Sequence, residues 1–143
     1  MIRPHPALSQ YPGFLLARLG RSSMLAFAEL LAPLGLHPKH FGLMRVLDAE
    51  GSLTQGELGR IAGVDPSTMV GALDELEAKG LIERRPHPSD RRAHEVHLTP
   101  AAQDAMAAVA AAASEHAERF FAPLTAAERA ELLRLLQKLA AAE

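Results

Sequence analysis

The chain has 143 residues, of which 48% are hydrophobic and 22% are charged, a composition that favours one folded domain and argues against disorder. It contains no cysteine, which excludes disulfides, thiolate metal sites and thiol-based redox sensing. No uncharged apolar stretch reaches the roughly 20 residues of a membrane span, and residues 1–12 lack the apolar run of a signal peptide. We therefore expect a soluble cytoplasmic protein.

The first third of the chain predicts an irregular arm followed by two helices. Residues 1–12 hold three prolines and predict the arm. Apolar residues at helical spacing predict a first helix over residues 13–31. Pro38 at a first helical position, after His37 as a candidate N-cap, predicts a second helix that Gly51 ends.

Two short helices follow, and their ends are well marked. The segment Thr54–Glu57 has the pattern of a capping box, in which the Thr and Glu side chains each bind a backbone N–H of the other residue. This helix stops at Gly63. Asp65 and Pro66 are the N-cap and first residue of the next helix, which Gly80 ends in the left-handed conformation that glycine favours.

The last part of the chain predicts a hairpin and two more helices. Residues 81–85 and 92–99 alternate around a turn-rich segment, which predicts two strands with a basic tip. Thr99-Pro100 predicts the cap of a long alanine-rich helix, and a second capping box, Thr125–Glu128, predicts a last amphipathic helix. The predicted fold class is mainly α with a small β-hairpin wing, a winged helix-turn-helix in the order α-α-α-α-β-β-α-α.

In such a layout the second helix of the pair, the recognition helix, enters the major groove of DNA. Helical projection of residues 66–79 places on its buried face Met69, Val70, Leu73 and Leu76. The predicted DNA-facing residues of this helix are Pro66, Ser67, Thr68, Gly71 and Ala72. The preceding helix contributes Thr54 and Gln55. The wing contributes Arg84, Arg85, His87, Ser89, Asp90, Arg91 and Arg92. The net charge of -2 argues mildly against DNA binding, but the distribution of charge matters more than its sum.

The segment Asp90–Thr99 fits a wing signature of Asp, any residue, Arg, five residues and then Leu-Thr. With this motif the chain resembles the multiple antibiotic resistance regulator (MarR) family. Further segments resemble the second helix, the recognition helix, its exit and the terminal helix of that family, over residues 35–47, 65–68, 76–82 and 124–139. The resemblance covers nearly the whole chain, and it implies an obligate homodimer that regulates transcription from palindromic double-stranded DNA operators.

The resemblance also implies a role for the wing and a division of the chain. Arg92 would enter the minor groove, where the concentrated negative potential of a narrow groove favours a guanidinium, and Asp90 would pair with it and orient it. The implied parts are an N-terminal arm over 1–12, dimerisation helices over 13–36 and 100–143, and a DNA-binding lobe over 37–99.

The chain departs from the family in its recognition helix. Family members commonly carry Thr-Arg where this chain has Val70-Gly71. The helix therefore lacks a guanidinium, one of the groups that read base edges best. We hypothesise that this protein reads DNA shape and backbone more than base edges.

The family commonly binds a small, often anionic aromatic effector between the DNA-binding lobe and the dimerisation helices. By position, the resemblance implies an effector pocket at Arg18, His40 and Met44. It favours a repressor that the effector releases by shifting the spacing of the two lobes. The alternative stays open that Met44 belongs to the core and Arg18 is solvated.

The sequence also shows how far the chain fits the patterns of an enzyme, a protein-binding module and a metal site. We expect no enzyme, because no Gly-rich phosphate loop and no His-Glu-x-x-His motif occurs. A winged helix that contacts only protein is the alternative that the missing recognition-helix arginine supports, whereas the arginines of the wing favour DNA. We expect no metal and no cofactor: His37 and His40 could share a helix face, but no acidic or cysteine-rich set lies near them.

Overall fold

The computed structural model describes residues 3–143. In this part of the chain it has seven α-helices, one 3-10 turn and one antiparallel sheet of three short strands, so the predicted fold class is confirmed. The helices are α1 Pro6–Ser9, α2 Pro12–Leu31, α3 Pro38–Glu50, α4 Gln55–Ala62, α5 Pro66–Ala78, α6 Ala101–Phe120 and α7 Ala126–Ala140. The 3-10 turn is Ala32–Leu34, and the strands are β1 Leu53–Thr54, β2 Ile82–Pro86 and β3 His94–Leu98.

Two local predictions were wrong. The arm is not wholly irregular, because α1 forms there with Pro6 at its start and the Nδ1 of His5 accepting the N–H of Ala7 at 3.2 Å. Thr99 does not cap α6 with its side chain. Its hydroxyl instead donates to the carbonyl oxygen of Gly80 at 2.5 Å, because the end of β3 lies beside the exit of α5, where the backbone of Thr99 also donates to Leu81.

The chain divides into two compact units. The first unit holds the chain up to Ala26 together with Ala113–Glu143, and the second unit is Phe27–Ala112. The helices α2 and α6 each contribute to both units. The second unit is thus larger than the lobe expected over residues 37–99, because the end of α2 and the first half of α6 pack into it.

The second unit contains a closed hydrophobic core. Helices α3, α4 and α5 surround it, and the sheet, in the order β1-β3-β2, closes one side. The predicted hairpin is confirmed with Ile82 opposite Leu98, and β1 adds a third strand with Leu53 opposite Val96. Within α6, Ala102, Val109 and Ala112 face this core. The fully buried larger side chains are Leu31, Leu43, Met44, Leu58, Met69, Leu73, Leu76, Ile82, Val96 and Val109.

The first unit has no comparable core. None of its described residues is buried. Its internal contacts include a 3.2 Å hydrogen bond between Ser23 and His116 and the stacking of His116 on Phe120 at 5.3 Å. Its exposed apolar side chains include Tyr11, Leu16, Leu19, Met24, Leu25, Leu133, Leu135, Leu136 and Leu139. No helix in residues 3–143 combines the length and apolarity needed to cross a bilayer.

Candidate nucleic-acid interface

The turn between α4 and α5 is tightly built. The capping box predicted at the start of α4 is confirmed, with the Thr54 hydroxyl accepting from Glu57 N–H and the Glu57 carboxylate accepting from Thr54 N–H. Gly63 ends α4 with φ of +66°. A Cβ on Gly59 would lie 3.2 Å from the carbonyl oxygen of Val64, so the absence of a side chain lets α4 approach the turn closely.

Asp65 organises the first turn of α5. Its carboxylate accepts the backbone N–H of Thr68 at 3.0 Å and the hydroxyl of Ser67 at 2.7 Å. Hydrogen bonds from Thr68, and then from Ser67, hold the pKa of Asp65 well below its usual range. Ser67 and Thr68 are exposed. The first turn of α5 is therefore a rigid, exposed and polar surface, as expected of the part of a recognition helix that meets DNA.

The inner face of α5 differs from the projected one. Ala72 is 0% exposed and belongs to the core, whereas Val70 is 44% exposed. Met69, Ala72, Leu73 and Leu76 form the i, i+3, i+4, i+7 pattern of a buried helix stripe. The prediction of Ala72 as a DNA-facing residue was therefore wrong, and Val70 takes its place on the outer face with Gly71.

Arg84 is held within the molecule. Its guanidinium forms a salt bridge with Asp74 and a second one, at 2.8 Å, with the Oε2 of Glu77. The backbone N–H of Arg84 also donates to the Oε1 of Glu77 at 3.3 Å. These carboxylates, Asp74 first, raise the pKa of Arg84. Arg84 was predicted to face DNA from the wing, but the structure places it between β2 and α5.

A second cluster joins α3 to α5. His40 is buried; its Nε2 lies 2.6 Å from the Glu75 carboxylate and its Nδ1 accepts the backbone N–H of His37 at 3.0 Å. Burial lowers the pKa of His40 below the usual value, so the ring is neutral near pH 7 and donates Nε2–H to Glu75. Lys39 also binds Glu75, at 3.1 Å. His37 caps α3, as its position predicts, by accepting the N–H of Lys39.

The tip of the wing is fixed by backbone hydrogen bonds. The Nδ1 of His87 accepts the N–H groups of Ser89 and Asp90 at 3.2 and 3.1 Å. The N–H of His87 donates to the carbonyl oxygen of Ala93 at 3.1 Å. His87 therefore acts as the organiser of this turn, a function that its sequence position alone does not reveal.

The wing arginines differ in how they are engaged. Arg91 and Arg92 are exposed, and in residues 3–143 neither guanidinium forms a salt bridge. Arg85 pairs with Glu83 of its own strand. The Asp90 carboxylate accepts the backbone N–H of Arg92 at 2.9 Å, so it orients the Arg92 backbone, whereas the resemblance implied a pairing with the guanidinium. Arg91 and Arg92 thus remain free to meet an anionic partner.

One further cation was missed by the sequence analysis. Arg60, in the last turn of α4, is exposed and forms no salt bridge within the described part of the chain. It lines an open cavity of about 350 Å³ with Gln55 and Pro66, two residues predicted to face DNA. The sequence feature that could have identified Arg60 is its position in the last helical turn before the predicted stop at Gly63.

The residues proposed for an effector lie in different units. Met44 is fully buried in the core of the second unit, and both ring nitrogens of His40 are engaged there. Arg18 lies on α2 in the first unit, where it lines an open cavity of about 370 Å³ with Phe14 and Arg21. One phenylalanine and two arginines thus line the same cavity.

Comparison with known proteins places this chain among transcription factors. A model of the MarR family matches residues 34–93, which include α3, α4, α5, β2 and the wing tip. A protein assigned as the transcriptional regulator of the hcr operon of Thauera aromatica is 33% identical over 136 residues, covering 94% of this chain and 82% of the relative.

Two solved structures extend this similarity to the whole fold. The transcriptional repressor CouR, bound to a 23-mer DNA duplex, superposes with a TM-score of 0.87 at 30% identity and covers 98% of this chain and 99% of its own. BpsR of Bordetella bronchiseptica, whose DNA binding is regulated by 6-hydroxynicotinic acid, superposes with a TM-score of 0.80 at 25% identity over 90% of this chain and 97% of its own. The chain belongs to the MarR family of winged helix-turn-helix transcriptional regulators.

Proposed function

We propose that two copies of this chain bind a palindromic DNA operator and repress transcription. The observation that carries this proposal is the wing tip, where two exposed guanidinium groups, Arg91 and Arg92, extend from a turn fixed by His87 and Asp90. Because the charges are unpaired within residues 3–143 and the backbone is already ordered, little needs to be broken or ordered when they meet phosphates. CouR, a transcriptional repressor of similar fold solved with a 23-mer DNA duplex, supports DNA binding and repression as the function.

In this proposal the first turn of α5 enters the major groove and Arg92 enters the minor groove beside it. The exposed polar groups of Ser67 and Thr68, with the helix N-terminus, suit contacts to phosphates and base edges. Further proposed contacts come from Thr54, Gln55, Arg60, Pro66, Gly71, Arg85, His87, Ser89 and Arg91. Ala72 is not among the proposed contacts because it is buried in the core. Arg84 is not among them because Asp74 and Glu77 bind its guanidinium.

The outer face of α5 supports readout of DNA shape. Its exposed residues between Pro66 and Gly71 carry no charged side chain. The side chains that discriminate bases best, Arg, Asn and Gln, are also absent from this segment. Close to this face in the proposed interface, the arginines without a salt bridge in residues 3–143 are Arg91 and Arg92 on the wing and Arg60 on α4. Specificity is therefore proposed to depend mainly on groove width and deformability.

The second copy is proposed from the first unit, whose described residues expose leucines on α2 and α7 without burying any residue. A stable interface removes about 800 Å² of surface per partner from water, and these leucines supply apolar surface for it. Two copies related by a two-fold axis would present two recognition helices to the two halves of a palindrome.

We further propose that a small anionic aromatic effector binds the cavity lined by Phe14, Arg18 and Arg21. The guanidinium groups would bind its carboxylate and Phe14 would pack on its ring. Regulation of BpsR by 6-hydroxynicotinic acid supports this class of ligand. Arg18→Ala should weaken binding of a hydroxylated aromatic acid in calorimetric titration by about tenfold, and equal affinities would refute this site.

The alternatives fit the geometry less well. The proposed activity is binding, so it requires no catalytic group. A module that binds only protein would not require two unpaired guanidinium groups on an ordered hairpin tip. Loss of DNA binding with retained capture of a partner protein would be the result that favours that alternative.

The test of the main proposal is fluorescence-anisotropy titration with DNA from upstream of the protein's own gene at two salt concentrations. Wild type should bind tightly, and Arg92→Ala should bind at least tenfold more weakly, with a salt slope smaller by about 0.9 for each phosphate that is no longer neutralised. Arg134→Ala, which removes an exposed arginine from α7, is the matched control and should bind as wild type does. Equal binding by wild type and Arg92→Ala would refute a wing-anchored mode.

A further inference from the structure

We propose that Arg84 is a positioning residue that fixes the wing to the recognition helix, so that the two elements contact DNA as one rigid unit. This inference rests on the proposed DNA-binding function. Arg84 lies only a few residues from Arg91 and Arg92 of the wing tip, but the role proposed for it is distinct from direct contact with DNA.

The geometry of Arg84 is that of a brace between two elements. It lies on β2, and its two carboxylate partners, Asp74 and Glu77, lie three residues apart on α5. Glu77 receives three bonds: the Nε and Nη2 of Arg84 reach its Oε2 at 3.2 and 2.8 Å, and the Arg84 N–H reaches its Oε1. Multiple bonds to a planar guanidinium restrict orientation as well as distance. The base of the wing is therefore tied to α5 in angle and in position.

The brace also resolves an electrostatic difficulty. A helix that approaches DNA should avoid negative charge, yet Asp74 and Glu77 place two carboxylates on α5. Arg84 neutralises part of this charge through its salt bridges with both groups. Its side chain is 23% exposed, against 57% for its neighbour Arg85, so its charge is directed towards α5 and not towards solvent.

The competing role for Arg84 is a direct phosphate contact, and the two roles predict opposite effects of removing the acids. If Arg84 contacts phosphate, neutralising Asp74 and Glu77 removes repulsion and should strengthen DNA binding. If Arg84 is a brace, neutralising them releases the wing and should weaken DNA binding despite the more favourable net charge. The sign of this effect separates the two roles.

The experiment compares wild type, Arg84→Ala, Asp74→Asn/Glu77→Gln and the triple variant in anisotropy titrations at several salt concentrations. Arg84→Ala should weaken binding by about tenfold, a typical magnitude for coupled contacts, without reducing the salt slope. The double variant should also bind more weakly than wild type, and the triple variant no more weakly than Arg84→Ala. Equal or tighter binding by the double variant, or a reduced slope for Arg84→Ala, would overturn the proposal.

Two matched variants distinguish loss of the Arg84 brace from a general loss of folded structure. Arg84→Lys keeps the charge but loses the planar fork, so it should bind more weakly than wild type with an unchanged salt slope. Arg85→Ala removes the neighbouring arginine, whose partner Glu83 lies on the same strand. Its effect should be additive with that of Glu77→Gln, because no brace links them. Wild-type binding by Arg84→Lys would overturn the proposal.

A measurement without DNA keeps this proposal separable from the proposed function. In the free protein, Arg84→Ala should speed hydrogen exchange of the β2 and β3 amides while leaving the amides of α3 unchanged. Unchanged exchange in the wing would overturn the brace, whatever the DNA affinity. Failure of the wild-type protein to bind DNA would instead refute the proposed function, and the exchange result would still decide whether the brace exists.

Discussion

The two units of this chain differ in how far they bury their apolar side chains. The second unit, Phe27–Ala112, encloses every hydrophobic side chain that is buried in residues 3–143. The first unit buries none of its described residues and leaves leucines of α2 and α7 exposed, with Leu25 61% exposed. The lobe that carries the DNA-binding elements therefore has its own core, whereas the first unit leaves its apolar side chains uncovered. We propose that a second copy covers them.

The largest expected effect is loss of that second copy. Leu25→Glu should raise the dimer dissociation constant by about a hundredfold or more, because an unpaired carboxylate in an apolar interface costs several kcal/mol. Sedimentation velocity at micromolar concentration should show monomer, and operator affinity should fall with it. Leu34→Glu is the control, since Leu34 lies in the second unit and is 41% exposed. A fully dimeric Leu25→Glu protein would contradict the comparison.

The next effect concerns the closed core. Leu73→Ala should lower the free energy of unfolding by about 3 kcal/mol, because Leu73 is fully buried and its truncation leaves a cavity. Urea unfolding at two protein concentrations measures it. The loss of unfolding free energy caused by Leu73→Ala should be the same at both concentrations. The loss caused by Leu133→Ala should change with concentration if that side chain is buried only in the dimer. Identical behaviour of the two variants would remove the distinction between the units.

A smaller effect compares like with like, since each unit begins a helix with a Thr-x-x-Glu capping box. Thr54→Ala in the second unit and Thr125→Ala in the first should each lower the free energy of unfolding by about 1 kcal/mol through loss of a hydrogen-bond acceptor for a helix N–H. Hydrogen exchange should locate the loss in α4 for the first variant and in α7 for the second. Spread of either loss over both units would show that they unfold as one.

The smallest effect is the pH dependence that Asp65 contributes to the stability of the second unit. Because hydrogen bonds from Thr68 and Ser67 lower the pKa of Asp65 in the folded state, Asp65 stabilises the fold above its unfolded value of 3.8, and this contribution is lost as the pH falls through the lowered value. Asp65→Asn retains a good N-cap without titrating. Thermal melts should show wild type losing stability faster than Asp65→Asn on acidification, and parallel curves would contradict the assignment.

Local signals in the sequence predicted much of this structure. The two capping boxes, the left-handed stop at Gly80 and the alternating strands of the wing each depend on a few neighbouring residues, and all are present. The strand β1 could not be predicted in the same way, because two residues show no periodicity and Leu53 and Thr54 form a strand only through pairing with β3.

The errors in the candidate site came from contacts between distant segments. Val70 is the more hydrophobic residue, but Ala72 lies on the helix stripe that packs into the core, so composition favoured the wrong face. Arg84 resembled its neighbours in the basic segment, and only the fold reveals that Asp74 and Glu77 hold it. For the same reason, the binding of His40 to Glu75 could not be read from residues 35 positions apart.

The hydrogen bond from the Arg84 backbone to Glu77 has a consequence for solubility. Strand β2 lies at the edge of the sheet, and an edge strand with free N–H groups is a template on which strands of other molecules can assemble. Glu77 occupies the N–H of Arg84, and Pro86, two residues further along the strand, has no N–H to offer. A hairpin that must project from the protein to reach DNA is thereby protected from edge-to-edge aggregation.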